Sequence, residues 1–146
     1  MADGPAHLTL AHANAIIEAA FAEGQALRLK PLSVAVLDPG GHLIAFQRQD
    51  GSSTLRPQIA AGKAGGALAL GVSSRKIAEM AAERPSFVAS LGTIAPHGVI
   101  PAAGGVLIAG AGGTVIGAVG VTGDLSDNDE LCALAGIEAA GLAVRG

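Results

Sequence analysis

Arg48, Asp50 and Lys63 are the residues with the clearest chemical use, since an Arg fork and a Lys point charge can together hold an anionic group. A second cluster, Asp124, Asp127, Asp129 and Glu130, lies where a C-terminal helix should begin, and the macrodipole there favours negative charge. Capping accounts for Asp127 and does not require all four, so that Glu130, a capping-box partner or an acid–base group, or Asp129 could move a proton or activate water. Cys132 follows one turn later, either as a thiol activated by the helix end or as a small buried core residue. His97 precedes Gly98 in Pro85–Gly123, a stretch without Asp, Glu, Lys or Arg, and reads as a loop histidine or as a ligand or acid–base group.

These residues must be positioned by elements that periodicity reveals. Thr9 can cap a helix in which Leu10, Ala13, Ile17, Ala20, Phe21 and Gly24 recur at helical spacing, ended by Lys30-Pro31. Leu32–Leu37 and His42–Arg48 read as strands joined by the Asp38-Pro39-Gly40-Gly41 turn, with Arg48 sharing a face with His42, Ile44 and Phe46. Ile59–Leu70 is helix-permissive, and Ser73 or Ser74 opens a further helix that Pro85 closes. The small neighbours Gly62, Ala64, Gly65 and Gly66 would let a ligand approach Lys63 closely.

Gly104–Ala109 and Thr114–Val121 form a second hairpin around Gly110–Gly113, expected to serve both the core and subunit contacts. Asp127 should then cap the last helix in a capping box with Glu130, with Leu131, Leu134, Ile137 and Leu142 as its apolar face. The order α-β-β-α-α-β-β-α implies an antiparallel sheet covered by helices, an α+β fold over one domain, residues 1–146.

Composition narrows the function. Half of the 146 residues are apolar, and the charge of −3 with only three Phe and no Trp or Tyr opposes nucleic acid as a partner. Pro96, Pro101 and paired glycines break the uncharged stretch into strand-sized pieces, against a membrane helix. No metal site is expected, because His7, His12, His42, His97 and Cys132 show no ligand spacing. GxxxxGK[ST] and GxSxG are absent, which removes support for a P-loop or a nucleophile elbow. A lone cysteine and the lack of a cationic leader make the cytoplasm the expected compartment.

Four segments carry a resemblance: VLDPGGHLIAFQRQDG (36–51), IAAGKAGGA (59–67), AGGVLI (103–108) and GAVGVTGDLSDNDELCALAGI (117–137). In this order they resemble the GlcG/HbpS family, which includes the C-terminal domain of PduO-type corrinoid proteins. Two positions depart from the family pattern: Gly66 stands where it usually has Thr, and Leu107 where it has Pro.

The resemblance implies a profilin-like fold with a five-stranded antiparallel sheet, homo-oligomers reaching octamers, and haem as the cofactor of some members. Others are linked to small-molecule catabolism. Two functions follow. One is an enzyme or binder for a carboxylated metabolite, of hydrolase, tautomerase or lyase type. Its catalytic candidates are Glu130, Asp129 and Cys132; its ligand-binding candidates are Arg48, Asp50, Lys63, His97, Gly104, Gly105, Thr122 and Gly123. The alternative is a protein that binds or degrades haem or a related tetrapyrrole such as a corrinoid.

Overall fold

A computed structural model of the chain describes residues 4–146. Helix α1 (Leu10–Ala26) leads into the hairpin β1 (Ser33–Leu37) and β2 (Leu43–Arg48). Helices α2 (Arg56–Leu70), α3 (Ser74–Glu83) and α4 (Pro85–Leu91) follow. The hairpin β3 (Gly105–Ala109) and β4 (Val115–Thr122), helix α5 (Ser126–Ala139) and a short β5 (Ala143–Arg145) complete the chain. The five strands form one antiparallel sheet in the order β2-β1-β4-β3-β5. This is the expected α+β fold and element order, to which the structure adds α4 and β5.

Those additions have local causes. Pro85 ends α3 and also occupies the first turn of α4, where its missing N–H costs no hydrogen bond. Helix α5 stops at Ala139, and Gly141 at φ +74° turns the chain back along β3, pairing Ile108 with Val144. Leu142 therefore lies beyond the helix whose apolar face it was expected to join.

Period-two alternation divides the sheet's side chains between two helical layers. Val34, Val36, Val119 and Val121 pack with Ile16, Ile17, Cys132 and Ile137 of α1 and α5. Leu37, Leu107 and Ala118 pack with Ala64 and Ala67 of α2 on the opposite face. There the contact is close: a Cβ on Gly120 would fall 2.0 Å from the Ala60 carbonyl oxygen. The small residues of α2 thus seat the helix on the sheet.

At the other helix ends the outcome is mixed. Thr9 caps α1 as expected, its hydroxyl accepting from the His12 N–H while His12 Nδ1 accepts from the Thr9 N–H. For α5 the N-cap is Leu125, with no side-chain bond, so the expected Asp127–Glu130 capping box does not form. Asp129 Oδ1 instead accepts the Asp124 N–H at 2.9 Å, and Asp124 Oδ2 accepts from the Asn128 amide. Leu131 is solvent-facing, because α5 turns Cys132, Ala133 and Gly136 towards α1.

Candidate functional site

Lys63 is central to α2 and almost fully buried. Its Nζ donates to Asp129 Oδ2 at 3.1 Å and to the Val121 carbonyl at 2.9 Å. Gly104 and Gly105 make room for it: a Cβ on Gly104 would lie 2.9 Å from Nζ, and one on Gly105 only 2.2 Å from the Lys63 carbonyl oxygen. Ser74 completes the junction by accepting the Gly105 N–H at 2.7 Å. Burial pushes Lys63 down from 10.5 and Asp129 up from 3.8, each towards its neutral form, because desolvation outweighs their mutual attraction.

This geometry corrects the expected anion clamp. Lys63 is occupied by Asp129 and Val121, while Arg48 is exposed on β2 and lines an open depression of 520 Å³ with Gln25, Leu29, Pro31, Gln49 and Asp50. Strand β1 runs between β2 and β4, so the two cations serve different places. The cation beside Lys63 is Arg56, which lowers the Lys63 pKa through its charge and donates to Thr122 Oγ1 at 2.7 Å. Arg56 was hidden in the sequence by the following Pro57, which reads only as a helix start. Gly123, at φ +146°, packs against the Pro31 carbonyl oxygen, where a Cβ would fall at 2.1 Å.

The catalytic candidates separate as well. Asp129 is buried in its ion pair. Glu130 Oε1 and Oε2 accept from Arg75 Nε, and Asp127 accepts from Arg75 Nη2, a network at the surface end of α5. Cys132 is fully buried and its thiol is pushed up to about 12 by desolvation, with Glu23, Asp129 and Asp124 adding repulsion. Of the two readings of Cys132, the structure places it as a small core residue, because the dipole acts within the first turn and Cys132 lies deeper in an apolar core.

A different assembly forms around His97. The segment between α4 and β3 folds back over α2, where Gly62 and Gly65 admit it: a Cβ on Gly62 would stand 2.7 Å from the Ile100 side chain, and one on Gly65 2.7 Å from the His97 ring. The glycines expected to let a ligand approach Lys63 therefore receive the chain's own residues. Around Pro96 three shallow depressions of about 340, 170 and 200 Å³ meet, two of them bordered by His97. Their walls carry no Asp, Glu, Lys or Arg; Ala69, Leu68, Leu91 and Ile94 supply apolar surface, and Ile94 is 78% exposed. Among the described residues no helix is long and apolar enough to cross a membrane, and no cluster of three or more His, Cys, Asp or Glu is placed to hold a metal ion.

Fold and sheet order define a three-layer α+β domain with a five-stranded antiparallel sheet, shared closely by several known structures. Residues 8–138 match the family described as haem degrading protein HbpS-like, and the chain belongs to that family. HbpS itself is 30% identical, with a TM-score of 0.78 over 92% of this chain and 90% of HbpS. A double mutant of Streptomyces reticuli HbpS is 31% identical, TM-score 0.79, over 95% and 89% of the respective chains. A PduOC–haem complex has a TM-score of 0.84 over 96% of this chain and 99% of PduOC, at 20% identity, which speaks for the fold. No curated protein matches the chain.

Proposed function

We propose that the protein binds haem or a closely related tetrapyrrole on the face formed by α2 and the segment around Pro96. The observation that carries this reading is the set of three uncharged, open depressions that share Pro96 as a wall, shallow where a small polar metabolite needs an enclosed, convergent pocket. A flat macrocycle gains from apolar contact over its faces while its propionates stay in water. The family's haem-linked description points the same way. A clamp for a carboxylated metabolite, by contrast, loses Lys63 to Asp129, leaving Arg48 and Asp50 in a wide depression.

Gallium protoporphyrin, planar and fluorescent, tests the reading alongside haemin. The protein should bind both saturably, near one per chain. Placing a charge in the apolar walls through Ala69→Glu, at an exposed position that borders two of the depressions, should weaken both at unchanged melting temperature. Absence of saturable binding by the unaltered protein overturns the proposal, and undiminished binding by the Ala69→Glu variant moves the site elsewhere.

A further inference from the structure

His97 is exposed, yet its ring is held on two sides. Its Nε2 lies 2.6 Å from the Gly41 carbonyl oxygen. A carbonyl oxygen only accepts, so Nε2 carries the proton and donates it, which leaves Nδ1 of the neutral imidazole with a free lone pair. The Cγ and Cδ2 atoms rest on α2, where a Cβ on Gly65 would lie 2.9 and 2.7 Å away. Cδ2 and Nε2 are also the ring atoms nearest Gly41, 4.0 Å from where its Cβ would be. The contacts that hold the ring thus fall on Cγ, Cδ2 and Nε2. Among the described residues nothing hydrogen-bonds to Nδ1.

Imidazoles that bind metals characteristically donate their second N–H to a carbonyl or carboxylate, which fixes the tautomer and raises the basicity of the ligating nitrogen. Here the carbonyl belongs to the tight turn between β1 and β2, itself held by Asp38 Oδ1, which accepts from the Gly40 and His42 N–H groups at 2.9 Å. The orientation of the ring is thus built into the backbone of the fold and needs no bound ligand to set it.

We infer that Nδ1 of His97 is the protein ligand to the iron of a haem bound over the uncharged depressions at Pro96, an inference that rests on the haem reading above. The residues present fit that group: an imidazole oriented through Nε2 borders two depressions without charged walls. The remaining histidines offer less. His7, His12 and His42 border none of the three depressions.

The experiment compares the full-length protein with His97→Ala in haemin titrations followed by the Soret band and by electron paramagnetic resonance of the ferric state. The unaltered protein should show an imidazole-ligated spectrum. His97→Ala should bind at least tenfold more weakly, the lower end of what loss of a supporting outer-shell group costs, and added imidazole should restore the spectrum. Long-range proton–nitrogen correlation of the ring in the haem-free protein gives an independent measurement, expected to show Nδ1 unprotonated and Nε2 protonated. The opposite tautomer, or a variant with undiminished affinity and an unaltered spectrum, overturns His97 as ligand while the haem reading stands. Failure of the unaltered protein to bind haemin overturns both. Thermal melts of the variant keep a folding defect from passing as a lost ligand.

Discussion

Replacing Lys63 with methionine should remove a large share of the protein's stability without touching any exposed surface. The side chain lies among α2, β4 and α5, with Nζ bonded to Asp129 Oδ2 and the Val121 carbonyl, and both members of the ion pair are nearly inaccessible to water. Methionine fills most of the same volume, so the cost is electrostatic: the Asp129 carboxyl is left buried without its cation. Breaking one side of such a pair costs about 3–5 kcal/mol. With a urea slope of about 2 kcal/mol per molar for a chain of this size, the unfolding midpoint should fall by about 2 M at constant slope.

The double variant Lys63→Met with Asp129→Leu should recover much of that loss, since no charge then remains buried. It should not recover all of it, because the Asp124 N–H and the Val121 carbonyl lose partners worth about 1–3 kcal/mol if they stay dry. Urea unfolding of the single variants and the double completes the cycle. A midpoint shift below 0.5 M for Lys63→Met, or strict additivity in the cycle, would refute the buried pair as the joint between helix and sheet.

Two further outcomes are expected. Cys132, with its thiol pushed up to about 12 by burial, should resist disulfide-exchange reagents at pH 8 in the native protein and react at once when denaturant is added; rapid native labelling would contradict the burial. Asp124 is held below 3.8 chiefly by the Asn128 amide and also by the Lys30 N–H, so its contribution is present above 3.8 and is lost as pH falls through its lower native value. The stability gap between the unaltered protein and Asp124→Asn should accordingly narrow below pH 3.8 in acid titrations of the unfolding midpoint, and a constant gap would count against this linkage.

The expected strands and helices were legible because each carried its own local signal: a strand-length apolar run in β1, Ser73 before α3, Thr9 before α1. The site was less so. Nothing near Lys63 in the chain says whether its ammonium faces a cleft or the interior, because its partner Asp129 stands 66 residues away and only the sheet brings them together. Arg75 is likewise separated by 55 residues from the Glu130 it pairs with, so Glu130 kept the look of an unengaged carboxylate. Leu131 misled for another reason. The α5 face towards α1 is built from small residues, with Gly136 so close to the Ile16 carbonyl that a Cβ would stand 2.6 Å away, and a count of large apolar residues points to the wrong side of such a helix.

The glycines of α2 tie these observations to the proposed site. Glycine inside a helix costs about 1 kcal/mol relative to alanine, so Gly62, Gly65 and Gly66 weaken α2 unless something is gained elsewhere. What is gained is the seating of residues 97–100: Gly62 and Gly65 admit Ile100 and the His97 ring, and Gly66 faces Val99, where a Cβ would make ordinary contact at 3.5 Å. By drawing the segment against the helix, the glycines bring the His97 ring within reach of the Gly41 carbonyl, which fixes the ring beside the proposed site.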